Sequence, residues 1–142
     1  MRNHTSILFL LLVVSTIVGC DKETEPPKNE NPKALKASDM EGTYKFNYQF
    51  SGGTLSGDLI TQITEGDNAS QFHVINFTSR NILLKVNMTG SAGTILNFDQ
   101  DAFGNQLSGT GSISNNGNTV ELSFTEVSSA STYTGTQTMI RQ

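Results

Sequence analysis

The chain has no tryptophan and a single cysteine, Cys20, and its three prolines, Pro26, Pro27 and Pro32, fall in one short stretch. A lone thiol closes no intramolecular disulfide and builds no cysteine-rich metal site. Charge is scarce, at 15% of residues, and its balance is acidic, with a net charge of −4 and a pI near 5.0. The basic footprint that phosphate backbones demand is missing, which excludes nucleic acid as a partner. Serine, threonine, asparagine, glutamine and glycine dominate what remains, a surface suited to neutral polar partners. No Gly-X-Ser-X-Gly elbow occurs. The apolar run from Ile7 to Val18 reaches only about 18 Å as a helix, short of a hydrocarbon core about 30 Å thick.

That short run is instead the middle of an export leader. It follows cationic Arg2 and ends at Ile17-Val18-Gly19-Cys20, the order of a secretory signal. These residues resemble the signal peptide and lipobox of bacterial lipoproteins. The resemblance implies cleavage before Cys20 by signal peptidase II, a leader of residues 1–19, and lipidation of Cys20. A diacylglyceryl group with an added acyl chain would anchor the protein stably to a membrane, where one chain binds only marginally. The thiol is then consumed as a thioether and serves neither a metal nor a nucleophile. Removing Arg2 with the leader takes the net charge to −5.

Residues 20–37 hold the lipidated cysteine and a tether with all the prolines and no aromatic residue. Fully extended, its seventeen residues after Cys20 reach about 55 Å. Asp21-Lys22-Glu23-Thr24-Glu25 is similar to the surface-export signal that follows the cysteine in lipoproteins of Bacteroidota, and an ordinary solvated tether reads the same residues equally well. Localisation is therefore expected at the cell envelope, lipid-anchored in the outer membrane on its periplasmic or its surface face. From Ser38 the remaining residues, 38–142, are enough for one domain with one modest core.

Within that domain the sequence has a period of two. Tyr44, Phe46, Tyr48 and Phe50 alternate with Lys45, Asn47 and Gln49, the pattern of a half-buried strand. Further strands are expected at about 58–65, 71–77, 82–88, 94–99, 106–114, 119–125 and 132–140. Ser51-Gly52-Gly53 and Ser56-Gly57-Asp58 flank a turn, 99–105 reads as a polar loop, and the third strand as apolar on both faces, with Phe72 and Val74 on one and Ile75 and Phe77 on the other. Asn116-Gly117 between two alternating runs is a hairpin signal, since both central residues of such a turn need positive φ. A short turn at 38–42 precedes the first strand, and no helix is expected.

Short successive strands favour antiparallel neighbours, because parallel pairing needs long crossovers. The expected fold is all-β, an eight-stranded antiparallel up-and-down meander closing into a small barrel, with a β-sandwich as the alternative. Gly109 and Gly111 favour the barrel, as sites where a strand bends or another backbone comes close. An aromatic first strand after a short turn, followed by a meander, is similar to the small lipocalin-like (calycin) lipoprotein domains of Bacteroidota. Gly42-Thr43-Tyr44 stands where that group carries Gly-X-Trp.

The residues point away from catalysis. His73 is the one histidine left after the leader, set between Phe72 and Val74 on a strand, which reads as a structural or surface residue. Asp99 to Asn105 is the nearest approach to a calcium loop, yet Phe103 stands at its fifth position and Thr110 at its twelfth, so no metal or cofactor is expected. What remains is an aromatic set, Tyr44, Phe46, Tyr48, Phe50, Phe72, Phe98 and Tyr133, which forms the core of a solid barrel or lines an apolar pocket if one end opens. The expectation is a membrane-anchored, non-enzymatic lipocalin-like protein for a small apolar or amphipathic ligand. The alternative is an envelope module that binds a protein or glycan through its exterior.

Overall fold

The computed structural model describes residues 33–142, leaving aside the side chains at 55–58 and 115. Cys20, the expected leader and the expected tether up to residue 32 lie outside the described residues. Eight strands follow in order: β1 (Gly42–Phe50), β2 (Gly53–Glu65), β3 (Gln71–Phe77), β4 (Ile82–Thr89), β5 (Ile95–Ala102), β6 (Asn105–Ser114), β7 (Thr119–Val127) and β8 (Thr132–Arg141). Each pairs antiparallel with its sequence neighbour, and β8 returns to β1, from Tyr44 opposite Arg141 to Phe50 opposite Gly135. The meander therefore closes as the barrel expected, and closure removes the exposed sheet edges an open meander would keep. Strands and core lie within residues 33–142, a folding unit in itself.

Period-two alternation decides what faces inward. On β4, Ile82, Leu84, Val86 and Met88 are buried while Leu83 and Lys85 face out. On β6 the inward set is Leu107, Gly109, Gly111 and Ile113. A Cβ on Gly109 would come within 2.1 Å of the Ser123 carbonyl oxygen and 2.4 Å of the Phe98 ring, so the glycine makes room both for neighbouring backbone and for that aromatic.

Three stretches differ from the sequence reading. β2 begins at Gly53, so Ser56-Gly57-Asp58 belongs to the strand; an irregularity in the β1–β2 pairing between Phe46 and Tyr48 absorbs the extra residues that look like a turn. β3 is not apolar on two faces. Asn76 takes φ 61° and breaks the β3–β4 register, which returns Phe77 to the interior beside Phe72 and Val74 and leaves Ile75 half-buried. The expected loop at 99–105 is a two-residue hairpin, Phe103-Gly104, with φ of 51° and 81°, and strand continues on both sides of it. At the signal Asn116-Gly117 both residues do have positive φ, inside a short 3-10 turn, 115–117.

One end of the barrel is shut. A 3-10 turn over Ala37–Met40 lies across it, with both terminal residues fully buried. The folded part starts before Ser38, because the Leu35 N–H donates to the Ala92 carbonyl, that of Ala37 donates to Ala69, and Leu35 packs on the core. Tyr44 fixes this end: its hydroxyl lies 2.8 Å from the Met40 carbonyl and 2.9 Å from that of Gly117, and accepts from Arg141 Nε. The Arg141 guanidinium lies 5.3 Å from the Tyr44 ring centroid and also donates to the Asp39 carbonyl.

Candidate functional site

The opposite end, ringed by the β1–β2, β3–β4, β5–β6 and β7–β8 turns, is only partly covered. Asn76, Thr78, Ser79 and Asn81 all take positive φ, and this run folds the β3–β4 turn inward over the barrel mouth. The turn is tied to the far wall at two points. The Thr78 N–H donates to Oε1 of fully buried Gln137 on β8, at 3.0 Å. Arg80 donates through both terminal nitrogens to the two carboxylate oxygens of Glu126 on β7. Phe77 meets Phe124 edge-on, with centroids 5.2 Å apart, and meets Phe98 at 6.2 Å.

A cleft of about 210 Å³ remains between this turn and the wall formed by β1, β8 and β7. Its apolar walls are Tyr48, Phe50, Phe124 and Tyr133, and its polar groups are Thr78, Arg80 and Glu126. The pairing explains why space exists there. Gly135 on β8 stands between Phe50 and Phe124, and Gly109 stands on the other side of Phe124, so the aromatic rings have neighbours without side chains. A Cβ on Gly135 would lie 2.6 Å from the Phe124 ring.

The polar edge is a held ion pair. Glu126 is 4% exposed, and Asn105 Nδ2 donates to its Oε1 at 2.6 Å. Hydrogen bonding from Arg80 holds its carboxyl below the usual carboxylate range, against the opposing effect of burial and with help from Asn105. Arg80 also gives its Nε–H to Thr78 Oγ1, which in turn donates to the Phe77 carbonyl. Gln137 Nε2 has no partner among the described residues.

The aromatic set expected from the sequence divides between two places. Tyr48, Phe50 and Tyr133 come together at the cleft. Tyr44, Phe46, Phe72 and Phe98 do not reach it, being 0–3% exposed in the core, with Tyr44 locking the shut end. Cys20 lies outside the described residues. Sequence reasoning missed Arg80, Glu126, Thr78 and Phe124 as a group. Glu126 carried a readable signal, since it shares the parity of Val120, Leu122 and Phe124 and so had to point inward. Arg80 carried none, because its place depends on the path of a turn. No cluster of three or more metal-ligating side chains occurs among the described residues, and Asp99 instead accepts from Gln106. No described helix is long and apolar enough to cross a membrane. In comparisons with known proteins, no family model and no curated protein matches the chain.

Proposed function

We propose that the chain is a lipid-anchored, non-enzymatic binding protein of the bacterial cell envelope, whose lipocalin-like barrel takes a small apolar or amphipathic ligand at its partly covered end. The observation that supports the binding role is the cleft itself: four aromatic side chains walling a concavity with one hydrogen-bonded ion pair, its carboxylate buried, at its edge. Its size bounds the part of a ligand that it takes in: a cavity of roughly 150 Å³ accommodates benzene, so 210 Å³ suits a monocyclic ring or a short acyl segment, with any remainder outside the partly covered mouth. Anchoring rests on the Gly19-Cys20 leader.

Native mass spectrometry of residues 21–142 recovered from cells, compared with the same sample denatured, tests the binding role. A mass of a few hundred daltons or less shed on denaturation is expected. A bare mass both as recovered and after incubation with an envelope extract would overturn it. For the anchor, Cys20→Ser in the full chain is expected to move the protein from the membrane to the soluble fraction, and membrane retention of that variant would refute lipidation there.

A second reading, a module that binds an envelope protein or glycan, draws support from Phe103, 77% exposed at the β5–β6 hairpin tip. Under it, Phe103→Ser would abolish capture of one partner while leaving the cleft intact.

A further inference from the structure

Resting on the reading of the cleft as a ligand site, we infer that its ligand is electrically neutral and presents a single acceptor oxygen, of carbonyl, amide or alcohol type, to Arg80, and that carboxylates are rejected. The hydrogen-bond inventory at Arg80 carries this. A guanidinium has five N–H donors and recognises a carboxylate through two parallel ones on a shared edge. Here the edge formed by the two terminal nitrogens is occupied by Glu126, and Nε–H is occupied by Thr78 Oγ1. One N–H on each terminal nitrogen is left without a partner among the described residues. Because the two hydrogens of a planar nitrogen diverge, these two donors point to opposite sides, and neither has a free donor beside it. Each serves one oxygen, and no fork remains for a carboxylate.

Charge acts in the same direction. Glu126 is held ionised, lies within the lining and neutralises Arg80, so the polar edge carries no net charge toward an incoming anion. A ligand carboxylate therefore gains no net attraction at this edge that would offset its own loss of hydration. No other lysine, arginine or histidine lines the cleft. The walls supply the rest of the selectivity: apart from Thr78 and the ion pair, the lining is Tyr48, Phe50, Phe124 and Tyr133, all aromatic.

A matched pair of ring probes tests this on residues 21–142: benzamide and benzoate, nearly equal in shape and different in charge, titrated at pH 7 while backbone amide NMR shifts are followed. Benzamide is expected to shift residues around 48–50, 78–81, 124–126 and 133, with benzoate at least tenfold weaker at those positions. In Glu126→Gln the preference is expected to narrow or invert, because Arg80 is then an uncompensated cation with its fork released. Benzoate binding as tightly as benzamide in the unaltered chain would overturn the neutral-ligand inference and leave the cleft standing as a ligand site. Failure of both probes to shift these residues would overturn the site and the inference together. The comparison in the unaltered chain decides the matter even if the Gln variant fails to fold.

Discussion

At the scale of single residues, the two ends of the barrel depend on a few hydrogen-bonded polar groups. Arg80→Ala would leave Glu126 buried beside only Asn105, and removal of one partner from a buried pair is costly mainly because the other charge is stranded. Arg80 itself is nearly half exposed, which lowers the cost below that of a fully buried pair, to about 1–3 kcal/mol. Urea unfolding should show this loss at pH 7 and a smaller one near pH 4, where the stranded carboxyl takes up a proton. Tyr44→Phe removes the hydroxyl that links the Met40 and Gly117 carbonyls to Arg141. It should cost about 1–2 kcal/mol in the same measurement, with no change in probe binding at the far end.

At the scale of elements, two turns and one strand give the barrel its unequal ends. The β3–β4 turn holds non-glycine residues in left-handed conformations, among them a threonine, a β-branched residue rarely found there. Ser79 is exposed and its φ is 60°. Ser79→Gly should therefore stabilise the barrel by about 0.5–1 kcal/mol, less whatever the freer unfolded chain offsets. Thermal melting would check the sign. β8 owes its path beside Phe124 to Gly135, where a Cβ would also stand 2.4 Å from the Gln49 carbonyl oxygen. Gly135→Ala should cost about 1–3 kcal/mol by overpacking and displace the Phe124 ring from the cleft wall. At the shut end, a chain beginning at Ser38 should melt at lower temperature than one beginning at Lys33, since it lacks Leu35 and Ala37, and equal melting temperatures would show that those contacts contribute nothing.

At the scale of the whole molecule, acid stability follows from the carboxylates that the fold holds ionised. Glu126 has its folded-state pKa lowered by hydrogen bonding from Arg80, and exposed Asp67 has its own lowered by Lys85 in the same way. Both contribute stability above the ordinary carboxylate range, about pH 4, and lose it as pH falls through the folded-state values, because the unfolded chain binds the proton first. Urea midpoints measured from pH 6 to pH 3 should fall, and fall less steeply in Glu126→Gln. How much of this was legible beforehand varies with the range of the interaction. Alternation in 44–50, 82–88 and 119–125 determined all-β architecture, and the short links between strands determined antiparallel neighbours, because both depend on residues adjacent in the chain. The parity of Val120, Leu122 and Phe124, carried one step past the expected strand end at 125, points Glu126 inward, although that residue was missed. That β8 meets β1, which the sequence favoured with a sandwich as the alternative, and that Arg80 reaches β7 from a turn on the opposite side depended on contacts between residues tens of positions apart, while Phe77 returns to the core through the positive φ of Asn76, which alternation does not encode. The sequence by itself thus determined the number of strands and, where alternation is unbroken as in 44–50, 82–88 and 119–125, which face is apolar. Only the tertiary structure decided which aromatics fill the core and which wall a cleft, since that division is set by position along the barrel axis and by the path of a strained turn, neither of which a period of two encodes.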